Sequence, residues 1–312
     1  MRNEFLPVEY PFRNYLFLFG ASAKAEVVNY VRTQCIPAEQ DKLEETLAGW
    51  VGANKQFRGI EQTEIGKAEQ ITLMDIPEEF STFLKEVEDD FLFKQSFSLL
   101  PYEVKLVEID KLVASQRAVN LDYVEILKKR VSPKPTIPEL ISFCLAPPKD
   151  ITPPAEQILA QNVHSYTSEN LDFRFLGGFQ KPLSASDLQA CVAGGFPLAA
   201  IVLLVGLGSS SMNCLAVGNR IVLNNGFHRA YTLRSMGVTH APLVVQHVAN
   251  PQLEVPPVIA DLPREYLLGA PRPALIMDFF NPNLATQFKV KARNKVVQVQ
   301  WAANQFALPI VG

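Results

Sequence analysis

Residues 220–245 read RIVLNNGFHRAYTLRSMGVTHAPLVV, and the fold depends on how this stretch divides. Ile221, Val222 and Leu223 form a short apolar run that ends in Asn224-Asn225-Gly226, as a strand closed by a turn does. The spacing then predicts a helix from Phe227 that stops at Gly237, about three turns long. APLVVQHV, from Ala241, has the length and β-branched content of a second strand. Upstream, Gly218-Asn219 sits between NCLAV and RIVLNN as a two-residue hairpin turn. The whole piece is hairpin, helix and returning strand, an α/β arrangement.

The passage from strand to helix carries the chemistry. A helix start presents unpaired N–H groups and a partial positive charge, which suits an anion such as phosphate. Asn225 is placed to cap the helix, and Gly226 allows a ligand or backbone to come close. Phe227 and His228 occupy the first turn beside Arg229, whose planar guanidinium is a two-pronged donor for phosphate oxygens. His228 can donate, accept or shuttle a proton near neutral pH, and is the candidate catalytic residue. Alternatively, His228 and Arg229 simply hold the turn. Arg234 lies more than one turn further on and reads as half of a surface ion pair.

Length and composition bound the alternatives. The chain has 312 residues, 48% of them apolar and 20% charged, with a net charge of −3. That leaves room for two domains or one elaborated domain, and argues against a general attraction to nucleic acid or an anionic membrane. Residues 1–100 hold 17 acidic and 10 basic side chains, so this third forms an acidic α/β domain that could dock a protein partner. Cys35, Cys144, Cys191 and Cys214 lie far apart and read as reduced, buried thiols. The opening MRNEFLPVEYPFRNYLFLFG puts acidic residues and Pro where an export signal is basic, so a cytoplasmic protein is expected. The apolar run FPLAAIVLLVGLG, 196–208, is interrupted by Gly194, Gly195 and Pro197 on one side and closed by Gly206, Gly208 and three serines on the other. It is too short for a spanning helix and reads as a central strand buried on both faces.

Helices are expected in ASAKAEVVNYVRTQ, AEQDKLEETLAGWVG and PEEFSTFLKEVEDDFLF, with a strand in QITLMDI. YEVKLVEIDKLV reads as a strand, and NLDYVEILKKRV as a helix capped by Asn120. Seven prolines between 132 and 155 predict an extended connection. SASDLQACVAGG reads as a short helix. In the tail, KVKARNKVVQVQW reads as a hairpin on Arg293-Asn294 whose lysines blunt an exposed edge. Three domains result: 1–100; 101–248 with an insertion near 132–180; and a proline-rich extension, 249–312.

Further candidates are weaker. Glu108, Asp110, Asp122 and Glu125 could supply a carboxylate, with a solvated face as the alternative. GLGSSSMN, 206–213, has small residues and hydroxyls but no P-loop lysine, and reads mainly as a connection. His164, His240 and His247 show no metal-ligand spacing. Arg174, in LDFRFLGG, reads as structural.

The order strand, loop, hairpin, Gly-x-x-Arg helix, Gly, strand resembles the ParB/sulfiredoxin-like superfamily, over roughly 103–248. The resemblance implies a small α/β fold with a nucleotide at the helix N-terminus, in contact with residues 225–229. It also implies that Gln116-Arg117, after the strand VKLVEIDKLVASQRAV, lies near that nucleotide. Departures narrow the activity. Phe227 stands where sulfiredoxin proper has its cysteine nucleophile, which excludes reduction by that route. Phe227-His228 replaces the Glu-Arg of chromosome-partitioning members, and no helix pair for DNA follows residue 250. Asn225 stands where free-serine kinases of the superfamily carry Asp. The expected function is binding of ATP or CTP with magnesium, used for phosphoryl transfer or hydrolysis. The alternatives are a non-catalytic binding or scaffold protein that keeps the fold, and a DNA-associated partitioning-type factor.

Overall fold

The computed structural model describes residues 11–147, 151–170, 172–184, 186–187 and 197–309. The chain divides into two units, one of residues 1–148 with 209–292, the other of 149–208 with 293–312. Its strands are β1 (Phe12–Phe17), β2 (Leu73–Asp75), β3 (Tyr102–Glu108), β4 (Ala118–Asn120), β5 (Ala155–Ala160), β6 (Val163–Ser168), β7 (Phe173–Pro182) and β8 (Ala199–Leu207). Then come β9 (Asn213–Val217), β10 (Arg220–Asn225), β11 (His240–His247), β12 (Val258–Ile259), β13 (Leu262–Pro263), β14 (Thr286–Lys291) and β15 (Lys295–Gln300). The fold is mixed α/β.

In the first unit a five-stranded sheet runs in the order β10-β9-β11-β3-β2. Its pairs are antiparallel except β9 with β11, which run parallel through Val244 opposite Asn213. The parallel pair is the consequence of the sequence at 220–245. β10 turns back on β9 through Gly218, at φ +59°, and the helix Phe227–Ser235 then carries the chain across to β11. That helix ends where Gly237 takes φ +86° and the Val238 N–H donates to the Leu233 carbonyl at 3.0 Å, a glycine C-terminal stop. Its inward face buries Phe227, Ala230 and Leu233 among Val124, Ile141, Leu223 and Leu243, each large apolar side chain adding about 1.5–3 kcal/mol.

The boundary expected at residue 100 is not a domain boundary. β2 pairs with β3, and β1 stands between β14 and β4 in a second antiparallel sheet. Strands from the acidic third complete sheets whose other members lie far along the chain. The core of this second sheet joins Phe17, Val27, Val31, Phe288 and Val290. This also overturns the tail hairpin, because Phe288 and Val290 draw β14 onto β1 while β15 pairs with β6 in the second unit. Arg293-Asn294 is the junction between units.

The proline-rich stretch is not extended throughout. Ile137–Leu145 is a helix, opened by a capping box between Thr136 and Glu139 with Pro138 in its first turn, where a missing N–H costs nothing. It buries Leu140, Ile141, Cys144 and Leu145. Asn120 caps the helix Leu121–Lys128 as expected, its side chain accepting the Tyr123 N–H at 3.1 Å.

In the second unit, β15, β6 and β5 form a three-stranded sheet, and β7 pairs with β8 in a two-stranded ribbon. The stretch expected as a central buried strand is instead an exposed edge strand: Ile201 is 80% exposed, and β8 has no second strand partner among the described residues. The helix expected in SASDLQACVAGG falls largely outside the described residues. No described helix is long and apolar enough to cross a membrane.

Candidate functional site

Gly226 holds the N-cap position of the Phe227–Ser235 helix at φ +99°, with no side-chain cap. The expectation that Asn225 caps this helix is therefore corrected. Asn225 instead accepts the Gly226 N–H at 2.8 Å and donates from its amide nitrogen to the carbonyls of Ser209 and Ser211. It bends back onto the loop 208–213 because a left-handed glycine carries the chain into the helix at that point. One hydroxyl of that loop also turns inward: Ser211 Oγ donates to the Leu145 carbonyl at 2.7 Å.

Arg229 joins three segments. Its Nη1 donates to the carbonyls of Cys144 at 2.9 Å and Phe143 at 3.3 Å, and its Nη2 to the Ser210 carbonyl. The last carbonyls of an α-helix have no partner within the helix, and a cation at that end also meets the negative pole of its dipole. The guanidinium thus closes the Ile137–Leu145 helix and ties it to the loop.

His228 is engaged as well. Its Nε2 accepts the backbone N–H of Asn120 at 3.0 Å, and its ring stands edge-on to Tyr123 at 5.4 Å. Burial, followed by the Arg229 charge, pushes its pKa down to about 4. The hydrogen bond agrees, since a protonated Nε2 would point its own hydrogen at the Asn120 N–H. His228 is therefore a neutral acceptor that positions the start of the Leu121–Lys128 helix.

A pH dependence follows. The folded pKa lies below the value near 6.5 of an unfolded histidine, so between the two the unfolded chain takes up a proton that the folded chain refuses. The contribution is complete above about pH 6.5 and lost as pH falls through 4, amounting to about 3 kcal/mol. Urea titrations at stepped pH should show this loss in the wild type and a smaller one in His228→Gln. Equal slopes would mean that His228 titrates normally.

Phe227 is buried and packs edge-on against Phe279 at 5.2 Å. Gln116 is half-buried, and Arg117 points elsewhere than Arg229. Arg117 pairs with Glu26, stands 5.8 Å over the Tyr266 ring and accepts the Leu18 N–H on its carbonyl at 2.8 Å. The seven candidate residues therefore serve two places, with no partner in common between Arg117 and Arg229 in these bonds. Among the carboxylates, Asp122 takes two hydrogen bonds from Asn14, both at 2.9 Å, and Glu125 pairs with Lys128. Glu108 receives Thr72 and Lys111, and Asp110 pairs with Arg234, whose guanidinium lies 5.1 Å over Phe280. Arg234 is the ion pair expected, and Arg174 pairs with Asp172 at 3.0 Å. Among the described residues no three His, Cys, Asp or Glu side chains gather to hold a metal. Cys35, Cys144 and Cys214 are free and buried, and burial raises the Cys144 thiol to about 12.

No protein-family model matches the chain, and no curated protein or solved structure shows a significant similarity to it. The site must be judged on its own atoms.

Sequence reasoning missed the carbonyls that hold Arg229, because it read 132–155 as extended. The signal was present in Thr136-Ile137-Pro138-Glu139, a capping box with proline inside the first turn. It also missed Asn213, whose Oδ1 accepts Asn224 at 2.7 Å and Gln246 at 3.3 Å and so ties β10, β9 and β11 beside the turn.

Proposed function

We propose that the chain is a non-catalytic binding or scaffold protein, in which the Gly-Phe-His-Arg turn serves the fold. The observation that carries this reading is the placement of Arg229, whose two terminal nitrogens are held by carbonyls of Phe143, Cys144 and Ser210. A phosphate would need that guanidinium to leave three acceptors, two of them at a helix end where Cys144 has a second donor, the Met212 N–H at 2.7 Å, and Arg229 supplies the bond to Phe143. His228 adds to it, since a histidine held neutral and hydrogen-bonded to a backbone N–H is not poised to protonate a reacting oxygen. The ATP or CTP with magnesium that the family resemblance implies does not fit these side chains as they stand.

The second reading keeps nucleotide binding, with phosphotransferase or hydrolase activity. It is favoured by the order hairpin, glycine, helix and parallel strand, and by the left-handed Gly226 at the helix start. One experiment separates the two. Calorimetric titration of the full chain with ATP, then CTP, each with magnesium, is expected to give no saturable heat. Arg229→Ala is expected to lower folding stability by about 1–3 kcal/mol, the cost of unpaired carbonyls. Saturable binding that Arg229→Ala abolishes in a folded sample would establish the nucleotide reading instead.

A further inference from the structure

The second unit carries a feature that the turn at Gly226 does not involve. The ribbon of β7 and β8 exposes large apolar side chains on both faces. Register pairs Gly178 with Leu203 and Phe179 with Val202, so Phe175, Ile201 and Leu203 share one face. Phe179 and Leu204 share the other, with Leu176 reaching it at the bulge, where it lies against Gly206. Phe175 is 50% exposed, Phe179 49%, Ile201 80% and Leu204 42%. A strand added at the β8 edge would extend both of these apolar faces and cover the flanks of the β8 side chains that line it.

Among the described residues the edge of β8 has no strand partner and none of the usual protection. Exposed edges are blunted by charge, proline, bulges or shortness, and the other edges of this protein use these devices. β14 carries Lys289 and Lys291, β2 is three residues long and ends in Asp75, and β5 carries Glu156. β7 has its bulge, Lys181 and Pro182. β8, AAIVLLVGL, has nine residues with no charge, no proline and no bulge.

We propose that β8 pairs with β8 of a second copy of this chain, antiparallel about a two-fold axis at Leu203, the middle residue of the strand. Under this symmetry Ile201 faces Val205 of the second copy and Val202 faces Leu204, matching β-branched with apolar neighbours on both faces. The ends are compatible too. Asp172–Arg174 at one end and Lys181–Asp187 at the other are internally neutralised pairs, at 3.0 and 2.8 Å, so antiparallel pairing sets no like charges together. A bilayer is the poorer occupant. Hydrocarbon offers nothing to the N–H and C=O groups of an open edge, and a ribbon of a membrane barrel keeps one polar face toward the lumen.

Analytical ultracentrifugation of the full chain tests this, with Ile201→Lys and Leu204→Lys, one change on each exposed face. The wild type is expected to form a dimer, and each variant to raise its dissociation constant by at least about tenfold with an unchanged far-ultraviolet circular dichroism spectrum. A wild type that stays monomeric at every concentration overturns the proposal. So does open-ended association, a dimer indifferent to both variants, or a monomer that sediments with phosphatidylcholine vesicles.

Discussion

Replacing Arg272 with methionine is expected to cost about 3–5 kcal/mol of folding stability. The Arg272 side chain is 1% exposed and meets two carboxylates. It donates to both oxygens of Asp278, to Glu64 Oε2 at 2.9 Å and to the Pro273 carbonyl at 3.0 Å. Asp278 is itself buried, accepts the Leu275 N–H at 2.8 Å and orders the turn 275–281. Burial pushes its carboxyl upward, and Arg272 opposes that shift. Methionine fills much of the space but leaves Asp278 charged in a dry site, and that uncompensated charge is the larger cost. Urea unfolding should therefore separate the single variant from Arg272→Met combined with Asp278→Leu, which removes both charges and recovers part of the loss. A single variant within about 1 kcal/mol of wild type would mean that water reaches the pair.

The second large effect is expected at Gly226. An added Cβ would stand 2.4 Å from Met212 Cγ, 3.0 Å from its Cβ and 3.2 Å from its Cα, closer than van der Waals contact and partly against backbone. Alanine at φ +99° adds left-handed strain of about 1–2 kcal/mol, and overpacking adds about 1–3 kcal/mol. Gly226→Ala should thus lose about 2–5 kcal/mol. Gly52, inside the helix Leu43–Thr63 with open space around it, is the control, where alanine should gain up to about 1 kcal/mol. If both variants unfold at the wild-type midpoint, the close approach of Met212 is not what selects glycine at 226. A stable Gly226→Ala protein would also weaken both functional readings, since each relies on this turn.

Several elements were legible in the residues alone because their causes are local. Gly218-Asn219 makes a hairpin turn, Asn120 caps the helix that follows it, and Gly237 stops another. In each case one or two residues satisfy backbone groups within a few positions, so neighbouring sequence suffices. The same locality made Arg229 conspicuous at a helix start. Its role was not local. Whether a guanidinium in the first turn faces outward to an anion or inward to carbonyls depends on what is packed beside it. Here that is the end of a helix 85 residues upstream, Cys144 to Arg229.

The failures share that cause. LAAIVLLV has the composition of a buried strand, but composition reports a need for cover without saying what supplies it. The structure leaves Ile201 and Leu204 in water. KVKARNKVVQVQW alternates as a hairpin would, yet Phe288 and Val290 gain more by joining Phe17 and Val31 across nearly the whole chain. Sequence by itself determined the α/β class, the strand and helix periods around 220–245 and their punctuation, since these follow from backbone geometry and nearby caps. Only the tertiary structure decided that β1 and β2 of the acidic third complete the central sheets, that Arg229 and His228 bind the protein's own backbone, and that among the described residues one ribbon exposes its apolar side chains. Those outcomes rest on pairings between distant segments, where burial and backbone hydrogen bonding are settled for the whole chain at once.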